Sequence, residues 1–584
     1  MKKTKIICTM GPNTDKFSVM EGLAKNGMDI ARFNISHGDH EEHRKRLELL
    51  KIVRSGLGLP IAALLDTKGP EIRTGVLKDE KKVMLEDGQT YVLTTREIVG
   101  DDKIGYINYA GLPEDVKPGN RILIDDGLIE LEVEAVENGT DIVCRVLNGG
   151  TVSDRKGVNL PGVRFSMPYL SKKDEEDLLF AVKNDYDYIA ASFVRRADDV
   201  MQVRRILRQA GSDIQIISKI ENAEGLENID EILAVSDGVM VARGDMGVEI
   251  PFDKLPPIQK MMIKKANSQG KIVITATQML DSMMKNPRPT RAEVSDVANA
   301  VYDGTGAVML SGETAAGLYP VEAVEAMAAI ALSTEENINY QNRLREEAPS
   351  AVPSVTSSIS YATCTTATSL HCAAIIPVSK SGRTARMISR FRPPVPIICC
   401  TNSVRSQRRL SLVWGVYPLV VPEADSTDAL FAGAVEAAQK AGLVKNGDMV
   451  VLTAGLPLGV SGTTNLLKVE VIGDLLLSGT GVTRKCVTGP VVVCKDAQEA
   501  LKSVSNGDIL AVPYTTNEMM PAIRRLSGLI TEQGGLDSHA ATSALALDIP
   551  AVVGAVNATA LLKSGSCVTL DAATGTVCAA TKEA

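Results

Sequence analysis

Eight short apolar runs separated by helix-length segments constrain this chain more than any other feature. They are TKIICTMG (4–11), DIARFNIS (29–36), IAALLDT (61–67), YIAASFV (188–194), IQIISKIE (214–221), GVMVARGD (238–245), KIVITAT (271–277) and GAVMLS (306–311). Near-continuous apolar strands alternating with helices belong to parallel sheets covered on both faces. Eight such units are the number that closes a (β/α)8 barrel. The expected fold class is therefore α/β, with a TIM barrel over 1–68 and 159–340.

Residues 69–158 break that rhythm. KKVMLEDGQTYVLTT and NRILIDDGLIELEVEAVENGTDIVCRVLNGG carry β-branched residues and D-G and N-G turns, without a helix-length pattern. They predict a small β-barrel lid domain inserted at the C-terminal end of a barrel strand, the face where barrel active sites sit. LREEAPSAVPSV (344–355) reads as a linker, followed by an open α/β domain over 355–472. LLLSGTGVTRK (475–485) reads as a second linker, and 486–584 as a compact α/β domain rich in Gly and Ala.

Composition mainly excludes. With 584 residues, 45% apolar and 23% charged, the chain can bury large cores. A net charge of −8 without a long basic run argues against a nucleic-acid binder. No uncharged apolar run reaches about 18 residues, so no membrane span is expected. The start, MKKTKIICTMGPNTD, is too short in apolar residues for a signal peptide and reads as a strand. Ten cysteines without zinc-type spacing suggest reduced thiols, mostly in cores, in a cytoplasmic protein.

The chemistry gathers at run ends. Alternation puts Ile217, Lys219 and Glu221 on one side of the fifth run, and Val241, Arg243 and Asp245 on one side of the sixth. Glu221 and Asp245, from adjacent strands, suit a shared magnesium or manganese ion. Gly244 lets backbone approach an anion, and Thr277 offers a hydroxyl at the end of the seventh run. A Lys beside such a pair equips a site for phosphate or enolate chemistry; the plainer reading is a structural Lys219–Glu221 ion pair. Arg32 suits forked phosphate binding. The oxygens of Asn34, Ser36 and Asp66 suit either a cation or ordinary caps and loop hydrogen bonds. His37, His40 and His43 read as a helix start with solvated histidines rather than a metal site.

These residues together resemble the pyruvate kinase family over about 1–472, through IISKIENAEGL, NISHG, LLDTKGPEIRTG, KGVNLPG, MVARGDMGVEI, TATQMLDSM and MLSGETAAGLYPVEAV. The resemblance implies phosphoryl transfer from phosphoenolpyruvate to ADP, giving pyruvate and ATP, the last step of glycolysis. By it, Lys219 neutralises the phosphoryl group in flight and Arg32 binds phosphate. Gly244, Asp245 and Thr277 cradle phosphoenolpyruvate, with Thr277 helping to protonate the enolate. Glu221 and Asp245 hold magnesium (or manganese). Asn34, Ser36, Asp66 and Thr67 hold potassium. Asn34, His37, Arg73 and Lys156 meet the nucleotide. Glu71 stands where family members with Glu require potassium.

VSKSGRTARMISRFRP (378–393) has a Ser/Gly loop leading into a helix, which suits phosphate capture. It resembles the family's effector loop: Ser379, Lys380, Ser381, Gly382, Arg383 and Thr384, faced by AGLPLGVSGTTN (454–465). A phosphorylated allosteric effector and a homotetramer are implied. ITEQGGLDSHAATSALALDIPAVVG (530–554) resembles the phosphohistidine domain of phosphoenolpyruvate-utilising enzymes, with His539 at the acceptor position. Asp537 stands where a Thr is usual and Leu545 where an Arg is usual, and both changes weaken a site for a dianion. A stability, assembly or regulatory role is therefore expected of this domain. Two other readings are open: a metal-dependent pyruvate-enolate aldolase or lyase, and a non-catalytic metabolite-sensing relative.

Overall fold

The computed structural model describes residues 1–78, 82–347, 354–456, 464–473 and 475–580. Each of the eight runs contains one strand of a closed parallel barrel: β1 (Lys5–Thr9), β2 (Ile30–Asn34), β3 (Ala62–Asp66), β4 (Tyr188–Ala191), β5 (Gln215–Ile220), β6 (Gly238–Ala242), β7 (Ile272–Ala276) and β8 (Ala307–Leu310). Sequence neighbours are hydrogen-bonded and β8 closes on β1. The runs are uniformly apolar because both faces are covered. Ile7, Ile30, Leu64, Ile217 and Met240 fill the barrel interior, while Ile6, Phe33, Leu65, Ile216 and Val241 lie under the helices.

The strands end earlier than their runs. β6 stops at Ala242 and Arg243–Glu249 form a helix. The expectation that Val241, Arg243 and Asp245 share an inward side fails, since Val241 packs outward and the helix re-aims every side chain after Ala242. The expected helix after the second run is α1 (His40–Leu57), capped by Asp39, whose side chain accepts from Glu42 N. Solvated histidines there need correction. His37 is exposed, but His43 lies on the inner face of α1, buried edge-on against Phe33 with Nε2 donating to the His37 carbonyl at 2.8 Å. His40 stacks on Phe180 and pairs with Asp177 at 2.6 Å.

Between β3 and β4, a seven-stranded sheet and a two-stranded ribbon form the inserted domain around Leu93, Ile122, Leu131 and Ile142. Its entrance strand, Ile72–Arg73, pairs antiparallel with its exit strand, Gly157–Asn159.

The chain forms two compact units; the first takes 1–357, 380–394 and 403–418. Within it, the later segments seal the barrel floor. Arg408 Nε donates to Asp187 Oδ1 at 2.8 Å and Nη2 to Asp185 Oδ2 at 2.7 Å. Asp187 is fully buried, and its Oδ2 also accepts from Ala63 N at 2.9 Å. Arg408→Ala leaves this buried carboxylate without its hydrogen-bonded cation, which costs about 3–5 kcal/mol. We expect a lower urea midpoint in the fluorescence of the only tryptophan, Trp414, and recovery of much of the loss in Arg408→Ala/Asp187→Asn, where the stranded charge is gone.

The second unit, 358–379, 395–402 and 419–584, holds most of a five-stranded sheet that includes Ala374–Pro377, Ile397–Thr401 and Met449–Ala454. It also holds an eight-stranded sheet whose two edge strands are Leu475–Ser478 and Thr480–Gly481. The stretch 475–485, expected as a linker, therefore begins with strands. Its glycine content reflects close backbone approach: a methyl on Gly481 would lie 1.9 Å from the Ala572 carbonyl oxygen. The cysteines are free and mostly buried, except exposed Cys486 and half-buried Cys567. Among the described residues no helix is long and apolar enough to cross a membrane.

Candidate active site

Strand alternation carries Thr9, Arg32, Asp66 and Lys219 to the C-terminal mouth on the side of the interior residues Ile7, Ile30, Leu64 and Ile217. There they form one chain of charge. Arg32 Nη1 donates to Thr9 Oγ1 at 2.9 Å, and its Nε donates to Asp66 Oδ2 at 2.6 Å. Lys219 Nζ lies 3.1 Å from Asp66 Oδ1 and 2.9 Å from Glu221 Oε1, and donates to Ser192 Oγ at 2.8 Å. Glu221 Oε2 accepts from Phe193 N at 2.5 Å. Lys219 and Glu221 are thus an ion pair, and Asp66 sits between two cations. Ser192 and Thr9 carry no mark of this place in the sequence, being small hydroxyl residues within otherwise apolar runs.

The titration shifts show where charge is unbalanced. Burial pulls the Lys219 ammonium down, but Asp66 and Glu221 outweigh it and raise it. Burial raises Asp66, yet Arg32 and Lys219 hold it below the usual carboxylate range. Glu221 differs: burial pushes it up to about 7, only partly offset by Lys219, and Asp245 adds to the rise. One ammonium cannot neutralise Asp66 and Glu221 together, and Asp66 has the second cation. The deficit falls on Glu221 beside Asp245, two hard-oxygen acids. Those are the donors and the excess charge that fit a divalent cation. Among the described residues no cluster of three or more His, Cys, Asp or Glu side chains could hold a metal ion, so the fit is to two acids with substrate and water oxygens.

Asp245 lies in the first turn of α2 (Arg243–Glu249). Gly244 N donates to Thr277 Oγ1 at 2.7 Å, and a methyl on Gly244 would lie 3.4 Å from that oxygen. Thr277 follows β7, where Ala276 still faces inward; alternation would turn Thr277 outward. Its φ of +68°, followed by +53° at Gln278, redirects it. Such a conformation costs about 1–3 kcal/mol per residue. Arg243, expected on the inward side, turns away to the carbonyls of Ala276 and Thr277.

The lid contributes residues unseen in the sequence. Asp125 and Asp126, both at positive φ, form a lid turn, and Asp126 is raised by burial and then by Asp245. Lys156 pairs with Asp125 at 2.9 Å. A cavity of about 610 Å³ opens between lid and barrel, lined among others by Ser36, Lys68, Arg73, Tyr106, Asn108 and Arg155. Arg73 pairs there with Glu71 at 2.7 Å and donates to the Arg155 carbonyl at 2.9 Å. Asn34 and Asp66 are register partners on β2 and β3; Asn34 Oδ1 accepts from Ser36 N at 3.1 Å, and the Thr67 carbonyl accepts from Ser192 Oγ at 2.6 Å. Both Asp66 oxygens are already engaged, Oδ2 by Arg32 and Oδ1 by Lys219 and Ser192.

In the effector-loop stretch, Ser379 N donates to the Cys400 carbonyl at 3.0 Å, and Ser406 Oγ donates to the Lys380 carbonyl at 2.8 Å. Gly382, at φ +72°, caps α3 (Arg383–Ser389), and a methyl there would strike Leu410 at 2.7 Å. Ser381 and Arg383 are exposed and Thr384 is buried. Residues 457–463 of the expected facing loop lie outside the described residues. His539 opens α4 (His539–Leu547), half-buried, with Nδ1 2.8 Å from Thr515 Oγ1 and Nε2 3.0 Å from Asn517 Oδ1. Asp537 and Leu545 are exposed.

A (β/α)8 barrel whose mouth joins a buried ammonium, two acids and a hydroxyl beneath an inserted lid defines a class of phosphoryl- and enolate-handling enzymes. The comparisons narrow it. The family description "Pyruvate kinase, barrel domain" matches residues 1–324, "Pyruvate kinase, alpha/beta domain" 357–470, and "PEP-utilising enzyme, mobile domain" 504–575. The chain is 50% identical to a pyruvate kinase of Geobacillus stearothermophilus over 99% of this chain and 98% of that one. It is 48% identical to that of Sporosarcina psychrophila over 99% of both. A crystal structure of a pyruvate kinase from Cryptosporidium parvum superposes with a TM-score of 0.77 at 40% identity, covering 80% of this chain and 96% of that one. The chain belongs to the pyruvate kinase family. The aldolase or lyase alternative and the non-catalytic alternative are not favoured.

Proposed function

We propose that this chain transfers the phosphoryl group of phosphoenolpyruvate to ADP, using the groups gathered at the barrel mouth. The observation that carries the reading is the buried Lys219 ammonium, held by Asp66 and Glu221 beside Arg32. It is a fixed positive charge where a phosphoryl group passes between donor and acceptor. Phosphoryl transfer asks little covalent work of protein groups; positioning and charge neutralisation do most of it.

In this reading Lys219 and Arg32 face the phosphoryl oxygens, and the Gly244–Asp245 backbone with Thr277 orients the enolate. Thr277, directly or through water, delivers the proton that turns enolpyruvate into pyruvate. Glu221 and Asp245 would hold a magnesium or manganese ion, which supplies positive charge opposite the substrate's carboxylate and phosphate. Asn34, Ser36, Asp66 and Thr67 would hold potassium. Arg73 meets the nucleotide at the lid cavity, Asn34, His37 and Lys156 join it by the family resemblance although they do not line that cavity, and lid closure keeps water from competing with ADP. Ser379, Lys380, Ser381, Gly382, Arg383 and Thr384 serve a phosphorylated effector in a cytoplasmic homotetramer. His539 acts as a pin rather than a phosphocarrier: Thr515 and Asn517 occupy both ring nitrogens, and Asp537 adds a like charge for any phosphate.

The test is pyruvate formation followed with lactate dehydrogenase. Turnover must require both ADP and phosphoenolpyruvate. By the family resemblance, an acid at Glu71 rather than an ammonium goes with a requirement for potassium. Exchanging potassium for sodium should lower the rate by about tenfold or more, about 1.4 kcal/mol of barrier. An undiminished rate in sodium alone would remove potassium from the account.

A further inference from the structure

The backbone at Thr277 and Gln278 is left-handed, at φ +68° and +53°, a conformation rare for a β-branched residue. Local preference does not produce it, so surrounding groups must hold it. Arg243 is that group. Its Nη2 donates to the Thr277 carbonyl at 2.7 Å and the Gln278 carbonyl at 3.4 Å, and its Nε to the Ala276 carbonyl at 3.3 Å. Nη2 also lies 2.8 Å from Met279 Sδ, and Nη1 donates to Asp296 at 2.8 Å. The guanidinium is half-buried and its direction is fixed by that carboxylate. The Thr277 hydroxyl accepts from Gly244 N at 2.7 Å, one residue along, and donates to the Ala276 carbonyl at 2.6 Å, so that it must swing from this carbonyl to reach substrate. A single turn of α2 therefore grips Thr277 twice, by side chain on its carbonyl and by backbone on its hydroxyl, and carries Asp245 next.

We propose that Arg243, oriented by Asp296, is a positioning residue for proton transfer: it fixes the Thr277 backbone so that the hydroxyl meets the enolate carbon. This rests on the role given to Thr277 above. A lysine keeps the charge but cannot span three successive carbonyls and a carboxylate, because its donors radiate from one atom.

The experiment uses the full chain with magnesium and potassium. It compares wild type, Arg243→Lys, Asp296→Asn, Thr277→Ala and Thr277→Ala/Arg243→Lys. Two readouts are taken: steady-state kcat and KM for phosphoenolpyruvate, and exchange of pyruvate methyl protons with D2O in the presence of ATP. Arg243→Lys should lower kcat and exchange together by about 10- to 100-fold, with KM changed by less than about threefold. Asp296→Asn should show a smaller loss in the same direction. The double variant should be no slower than Thr277→Ala alone, since both act through one hydroxyl. Normal kcat in Arg243→Lys, a loss confined to KM, or additive losses in the double variant each overturn the proposal. Unchanged exchange in Thr277→Ala overturns the Thr277 role itself, and the proposal with it; a slow Thr277→Ala beside an unaffected Arg243→Lys overturns the clamp alone.

Discussion

Replacing Lys219 by Met lowers kcat by about 10³-fold, about 4 kcal/mol of transition-state stabilisation, and this is the largest single effect expected in the molecule. The ammonium is buried, so its field on a phosphoryl group is screened far less than a surface lysine's would be. It is also preorganised: Asp66, Glu221 and Ser192 fix Nζ at 2.8–3.1 Å before substrate arrives, so little reorganisation is needed during transfer. Lys219→Arg should fare little better. A planar guanidinium cannot take the place of a compact ammonium between two acids and a hydroxyl without displacing one of them. The same variant separates two steps. With the proton delivered by Thr277, as proposed above, Lys219→Met should retain much more of its exchange rate than of its phosphoryl transfer. Turnover within tenfold of wild type would remove the ammonium from the mechanism.

How far this was readable from sequence depends on whether the relevant contact is local. The barrel was readable because doubly buried strands leave no polar alternation, and all eight runs carry one. The lid was readable from D-G and N-G turns. The strand ends were not. GVMVARGDMGVE has no apolar mark separating β6 from α2, so alternation carried past Ala242 places Arg243 in the mouth, while the helix turns it to the Ala276 and Thr277 carbonyls. Thr277 reaches its partner Gly244 only through a left-handed turn that no periodicity announces. Leu475–Gly481 looked like a linker because edge strands that approach another backbone closely need glycine, and glycine also marks linkers. His43 looked solvated because one imidazole on an amphipathic helix carries no signal of which face it occupies. Asp66 shows the limit most clearly. Its oxygens suggested a cation site, but its position between Arg32 and Lys219 joins β2, β3 and β5, and no spacing along the chain encodes that. Asp125 and Asp126 likewise become neighbours of Lys156 and Asp245 only when the lid is folded.

The second large effect concerns the metal, and stability reveals it without turnover. In the folded chain without metal, burial raises Glu221 from its ordinary 4.5 to about 7. A raised carboxyl means that the folded state holds the proton more tightly than the unfolded state does. The associated stability is complete below about pH 4.5 and is lost as pH rises through about 7. In EDTA, the melting temperature should therefore fall between these values by more in wild type than in Glu221→Gln, which has no proton to lose there. A divalent cation reverses the sense, because it favours the ionised pair that burial penalises. Adding magnesium at pH 7.5 should raise the wild-type melting temperature in proportion to log concentration, as a ligand of the folded state alone must. At pH 5, where protons compete for Glu221, the same addition should do much less. Glu221→Gln and Asp245→Asn should each need about 100-fold more magnesium for half-maximal activity, and each should lose most of the magnesium-induced thermal shift. Lys219 bears on the outcome too. Its ammonium already offsets part of the Glu221 charge, so Lys219→Met should bind magnesium at least as tightly as wild type while turning over far more slowly. An equal thermal shift from magnesium in wild type and both acid variants would place the ion elsewhere and leave Glu221 and Asp245 without the role assigned to them.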